Sequence, residues 1–138
     1  MREVVFDASV VVKWFAAEQR GSLEARELRD DYRAGRLSVV VPSLLFLELL
    51  NVAGRRWRWE PEAVVELAEA LADLSFEVSE PELPSVAAWV SRGLTAYDAA
   101  YATLAEEREL TLVTDGDAVI ELAPEISRAL VGGSASAG

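Results

Sequence analysis

Residues 4–9 read Val4-Val5-Phe6-Asp7-Ala8-Ser9, a short apolar run closed by an acid. Such an unbroken run reads as a buried strand rather than a half-exposed one, and buried strands belong to parallel sheets with both faces covered. The pattern recurs outward along the chain. Val39-Val40-Val41, closed by Pro42, is a second apolar strand, 75–78 a weak third, Leu110–Thr114 a fourth, and Ile126–Val131 a final edge strand. Between them lie helix-like stretches at 9–17, 22–34, 44–57, 61–74, 85–92, 96–108 and 117–122. Gly35 and Gly93 end two of these, Pro61 suits a first turn, and Ser43 and Thr95 stand where N-caps belong. Short strands alternating with longer helices give an α/β fold, a three-layer α/β/α sandwich around a mostly parallel sheet.

Residues 1–131 read as a single domain, and the Gly/Ser/Ala-rich stretch 132–138 as a flexible tail. At 138 residues and 51% apolar composition the chain can bury a core without staples. It has no cysteine and no histidine, which excludes disulfides, zinc–thiolate sites, and Ser–His–Asp or Cys–His catalysis. Catalysis is left to carboxylates, hydroxyls, Lys, Arg or a metal. With neither a cleavable leader pattern nor an apolar run of spanning length, the expected location is the cytoplasm, away from membranes. The net charge of −11 argues against RNA, since nucleic-acid binders usually carry a basic patch. It favours a basic partner, or cations that neutralise clustered acids.

In parallel α/β sheets the site lies beyond the carboxyl ends of the strands. Asp7 follows the first strand, and Asp115 and Asp117 follow the fourth. Asp98 sits in the first turn of the helix before the fourth strand, and Glu48 one turn into the helix after the second. Brought together, such acids raise one another's pKa, and a hard divalent cation such as Mg²⁺ or Mn²⁺ resolves the repulsion. Each acid also has an ordinary reading. Asp7 fits a helix cap, and Thr95-Ala-Tyr-Asp98 fits a capping box with the carboxylate reaching back to the Thr95 N–H. Asp115 and Asp117 fit a turn around Gly116. Glu48 stands among Leu44, Leu45, Phe46, Leu47, Leu49 and Leu50, where a lone carboxylate is costly unless paired or ligated. It also shares a helical face with Asn51 and Arg55, a thin polar stripe.

The succession of these segments resembles the PIN-domain ribonucleases of the VapC toxin type. The opening VVFDASVVVKWFAAE (4–18) is similar to the start of such proteins, VPSLLFLELLNVAGRR (41–56) to their second motif, and LTAYDAAYATLAEERELTLVTDGD (94–117) to the third and fourth. The resemblance implies a parallel sheet of about five strands, and an acidic core of Asp7, Glu48 and Asp98 with a fourth acid after the fourth strand. The family's fourth motif reads Thr, any residue, Asp. Here Gly116 holds that last position, with Asp115 and Asp117 on either side. The implied reaction is hydrolysis of an RNA phosphodiester by water activated on Mg²⁺ or Mn²⁺, held by Asp7 and Asp98 with help from Glu48. Ser9, Thr114 and Asn51 are supporting candidates, the two hydroxyls as donors to a phosphate oxygen or a ligand water, or simply as a cap and a strand end. The implied partners are RNA, a cognate antitoxin and a second copy of the chain, for which helices 44–57 and 61–74 offer apolar surface.

Lys13 reads as reaching a surface acid or, alternatively, phosphate. Arg55, Arg56 and Arg58 with Trp57 and Trp59 form a basic–aromatic cluster that reads first as a partner contact. Trp packing at a basic helix end and RNA stacking are the other readings. Three rivals stand beside the toxin reading: a PIN nuclease of RNA maturation, a PIN-like binding module with impaired catalysis, and a haloacid-dehalogenase-type phosphatase. The last asks for a second Asp where Ser9 stands.

Overall fold

The computed structural model describes residues 2–16 and 18–132. Five strands form one sheet in the order β3-β2-β1-β4-β5, with every neighbouring pair parallel. They are β1 (Arg2–Phe6), β2 (Leu37–Val41), β3 (Glu77–Val78), β4 (Thr111–Thr114) and β5 (Ser127–Ala129). The helices are α1 (Ala8–Val11), α2 (Ser22–Arg33), α3 (Leu44–Asn51), α4 (Pro61–Asp73), α5 (Leu83–Ser91), α6 (Ala96–Arg108) and α7 (Asp117–Leu122). Val4, Val5, Phe6, Val39, Val40, Val41, Leu112 and Val113 are all buried, so the central strands are covered on both faces, as their unbroken apolar sequence requires. The sandwich and its parallel sheet are as the sequence predicts.

The chain leaves β1 for β2 on one side and returns to β4 on the other, which puts the topological switch at the carboxyl end of β1. Register then decides what meets there. Phe6 pairs with Val113, so the next residues, Asp7 and Thr114, emerge side by side. Helix α6 delivers the other half of the site. Ala99 through Ala105 are all buried, and the four alanines among them, Ala99, Ala100, Ala102 and Ala105, let this helix press against the sheet while its first turn reaches the same edge.

Several boundaries differ from the sequence reading. The helix expected over 9–17 is α only to Val11. It tightens to a 3₁₀ turn at Val12–Trp14, where Trp14 packs edge-on to Phe6 and donates its indole N–H to the Ala25 carbonyl at 2.8 Å. Its end at Ala17 falls outside the described residues. The helix expected over 44–57 is regular to Asn51 and widens into a π turn at Val52–Arg56, which contains Gly54. Ser43 precedes α3 but makes no side-chain cap; its backbone N–H donates instead to Glu80. Helix α5 starts earlier than expected, at Leu83, with Pro84 accommodated in its first turn. Of the flexible stretch expected over 132–138, residues 133–138 lie outside the described residues.

Candidate active site

Asp7 is the fixed point. It caps α1 and is only 5% exposed, yet both carboxylate oxygens are engaged. Oδ1 accepts from the Ser9 backbone N–H at 3.1 Å and from the Ser9 hydroxyl, and Oδ2 accepts from the Thr114 hydroxyl. The two hydroxyls expected to face phosphate or water are therefore turned inward to Asp7. Each also accepts a backbone N–H from the turn after β4: Asp115 N–H donates to Ser9 Oγ at 2.8 Å and Gly116 N–H to Thr114 Oγ1 at 3.0 Å. Burial pushes the Asp7 carboxyl up to about 6, against the lowering effect of these donors, and the charge of Asp98 adds to the rise.

Glu48 and Asp98 stand half-buried at the same edge, on α3 and α6. Both carboxyls are raised, chiefly by burial, and Glu48 is raised further by Asp98. The Tyr101 hydroxyl, three residues after Asp98 and on the same helical face, donates to Glu48 Oε1. Tyr101 is 2% exposed, and its phenol is pushed upward by burial, then by Glu48, with Asp7 and Asp98 adding to the effect. Asp98 is thus within electrostatic reach of both Asp7 and Glu48, and all three act on Tyr101. Only half of the expected capping box forms: Thr95 Oγ1 accepts from Asp98 N–H at 3.1 Å, and the nearby Thr95 hydroxyl works against the burial that raises the Asp98 carboxyl.

Lys13 corrects the surface reading. It is 5% exposed, and its ammonium lies 3.1 Å from Asp115 Oδ2 and 3.5 Å from Gln19 Oε1. Its stem passes Gly21, where an added Cβ would come within 2.9 Å of Lys13 Cε. Asp117, by contrast, is exposed in the first turn of α7. Asn51, Arg55, Arg56 and Arg58 are exposed along and beyond α3. Sequence reasoning missed Tyr101 and undervalued Lys13. The signal for Tyr101 was its place three residues after Asp98, an i, i+3 pair in a helix that is otherwise alanine-rich.

An all-oxygen cluster with raised carboxyls fits a hard divalent cation in donor type and charge. Among the described residues the acids do not already form a closed cage: no group of three carboxylates stands ready to hold an ion as placed. Hydroxyls cover both Asp7 oxygens and one of Glu48, while Asp98 and Glu48 as whole residues are only half-buried. No helix among the described residues is long and apolar enough to cross a membrane.

Among known proteins, the solved structure of PAE2754 from Pyrobaculum aerophilum shares this fold. It has a TM-score of 0.67 and 24% identity, covering 97% of this chain and 96% of that one. No curated protein matches the chain. The PIN domain family matches residues 4–124, from within β1 to just past α7, and so includes every acid described above. PIN domains are generally nucleases. With the match running over most of its length, the chain belongs to the PIN domain family.

Proposed function

We propose that the chain is a divalent-metal-dependent endoribonuclease and the toxin of a toxin–antitoxin pair. The observation that carries the nuclease reading is the convergence of Asp7, Glu48 and Asp98, in which Asp98 raises the carboxyls of both the others. Asp7, Asp98 and Glu48 would hold Mg²⁺ or Mn²⁺, with Asp115 as the fourth acid. A bound cation supplies Lewis-acid activation of water and stabilises charge developing at phosphorus. The chain's own groups do the positioning. Ser9 and Thr114 fix the Asp7 carboxylate, Tyr101 orients Glu48, and Lys13 holds Asp115 while offsetting one of the four negative charges. With no histidine in the chain, proton transfer falls to the carboxylates and water.

Asp115 is favoured over Asp117 because its backbone is tied to Ser9 and its side chain is half-buried beside Lys13. The toxin reading rests on the resemblance to VapC-type proteins and on the charge of −11, which suits a basic antitoxin segment. A homodimer fits the exposed apolar side chains Leu47 on α3 and Val65 on α4, at 70% and 60% exposure. The cytoplasm is the compartment in which such a toxin meets its RNA.

The test is purified protein against a mixed RNA pool with Mn²⁺, with EDTA, and as Asp98→Asn. Cleavage is expected in the first case alone. Cleavage that persists in both controls would remove the metal mechanism. Toxicity on expression, relieved by the product of an adjacent reading frame, tests the toxin role separately.

A further inference from the structure

Apart from the acidic cluster the structure has a cavity of about 250 Å³ lined by Ala16, Glu18, Gln19, Trp57 and Trp59. Its two tryptophans come from the basic–aromatic cluster that the acidic site leaves unexplained. Their ring centroids are 5.7 Å apart at an interplanar angle of 35°, so the pair presents two indoles to one space. The backbone that places them is unusual twice over. The π turn at Val52–Arg56 runs into Trp57, whose N–H bonds the Val52 carbonyl at 2.9 Å, and Arg58 between the two rings is held in the left-handed region at φ 56°. A non-glycine residue pays for that conformation, and π turns and such outliers concentrate at functional positions.

We infer that this cavity is a nucleobase subsite, in which Trp57 and Trp59 stack one unpaired base of single-stranded RNA. The inference rests on the nuclease reading for the identity of the ligand. Three further features favour RNA over a protein partner. The cavity is smaller than the roughly 300–1,000 Å³ of pockets that enclose drug-sized ligands, so it suits a single ring system. Its polar wall carries Gln19, whose Oε1 accepts from Lys13, and Glu18, which pairs with Arg26; amides and carboxylates are groups that meet the edge of a base. In a chain with 13 cationic residues against 24 acids, Arg55, Arg56 and Arg58 place three exposed guanidiniums within four positions of one another, next to the stacking surface. Stacked base and adjacent phosphate are the two contacts by which single strands are held without sequence readout. Continuity supplies the link to the acidic site: Gln19, which lines the cavity, accepts from Lys13, and Lys13 pairs with Asp115.

The test separates binding from cutting. Wild-type protein in EDTA is titrated with a short fluorescein-labelled single-stranded RNA at low salt and followed by anisotropy. Intrinsic tryptophan fluorescence is read in parallel with the unlabelled oligomer. Trp14 and Trp89 are buried, at 7% and 2% exposure, so quenching on binding reports Trp57 and Trp59. Trp59→Ala is expected to weaken RNA binding about ten-fold, within the range of one lost base stack, and Trp59→Phe to restore most of it. Both rings pack partly on the core, so the wild-type quench stands as the readout if the alanine variant does not fold. RNA bound without quenching, or bound equally by folded Trp57→Ala and Trp59→Ala, overturns the subsite and assigns the pair to a protein contact. Quenching and ring-dependent binding in a protein that cuts nothing with Mn²⁺ would sustain the subsite and sink the nuclease reading. Metal-dependent cleavage with no role for either ring would do the reverse.

Discussion

Lys13 Nζ lies 3.1 Å from Asp115 Oδ2, an ion pair whose cationic partner is almost wholly buried and whose acid is the first residue after β4. The pair joins the helix after β1 to the turn after β4, the two segments that carry the ends of the topological switch. Ser9 reinforces the same junction, accepting from the Asp115 N–H while donating to Asp7. The turn after β4 is therefore set by contacts with the segment after β1, and both contacts act on Asp115.

Lys13→Met keeps the stem and deletes the charge. It leaves Asp115 partly buried without its counter-ion and adds an uncompensated negative charge to the acidic edge. Breaking a fully buried pair costs about 3–5 kcal/mol. The Asp115 side chain is 23% exposed, so partial hydration lowers the expected loss to about 2–3 kcal/mol. Urea denaturation in EDTA measures this. An unchanged midpoint would mean that the pair contributes nothing to the fold.

Gly21→Ala tests the channel around that lysine. Gly21 has φ 90°, and a Cβ there would approach Lys13 Cε to 2.9 Å and Val131 Cγ2 to 3.0 Å. Backbone strain and the clash act together, for an expected loss of about 2 kcal/mol. Gly35→Ala is the control. Its φ is 78°, but nothing lies within 4 Å of the added Cβ, so only the backbone cost of about 1 kcal/mol remains. Equal losses in the two variants would show that contact with the Lys13 stem is irrelevant.

Asp7 ties stability to pH. Its carboxyl is raised from 3.8 to about 6, so between those values the native state binds more protons than the unfolded chain. The metal-free protein loses stability as pH rises through that window, by up to about 3 kcal/mol from this group, opposite to the behaviour of a salt-bridged carboxylate. In EDTA the melting temperature is expected to be higher at pH 5 than at pH 7. Asp7→Asn should flatten the difference and stabilise the protein at pH 7, although the amide cannot accept from both Ser9 and Thr114 as the carboxylate does. Mn²⁺ should raise the pH 7 melting temperature of the wild type but not of Asp7→Asn. A wild type that melts higher at pH 7 than at pH 5 without metal contradicts the burial argument.

Tyr101→Phe removes the donor to Glu48 and little else, since the ring is buried and its shape is kept. A hydrogen bond to a charged acceptor contributes about 1.5–3 kcal/mol. Glu48 is only half-buried and regains water, so a loss of about 1 kcal/mol is expected. If Tyr101 orients Glu48, the cleavage rate falls while RNA affinity in EDTA stays unchanged. A variant with wild-type rate would leave the hydroxyl a purely structural role.

The sheet was legible because its strands are unbroken apolar runs: Val4–Phe6 and Val39–Val41 have no other stable fate than the centre of a covered sheet. Asp7, Glu48 and Asp98 were legible as a group through the rule that sites lie beyond strand ends, and through the resemblance that spaces them along the chain. Partnership was not legible. A lysine among Val12 and Trp14 looks the same in sequence whether it faces solvent or Asp115, because the choice depends on β1–β4 register and on the missing Cβ of Gly21. Tyr101 likewise gains its meaning from where α3 passes α6. The π turn at Val52–Arg56 was hidden for a different reason: Gly54 marks only a weak point, and nothing local in the sequence says which way a helix yields there.

The choice between Asp115 and Asp117 follows from the same contacts. Asp115 is held on both sides, by its N–H to Ser9 and by its carboxylate to Lys13, and is half-buried at the junction with Asp7. Asp117 is exposed in the first turn of α7, where an acid favours the helix dipole by at most about 1 kcal/mol. Asp117→Asn should therefore leave Mn²⁺ affinity within about two-fold of wild type, a change worth about 0.4 kcal/mol. Asp115→Asn should weaken Mn²⁺ binding about ten-fold or more, with a loss of stability from the unpaired Lys13. Because Lys13 already offsets Asp115, the double variant Lys13→Met with Asp115→Asn should recover part of that stability but none of the metal affinity. Titration calorimetry on the four proteins separates the two contributions, and a larger effect at Asp117 would move the fourth acid one residue beyond Gly116.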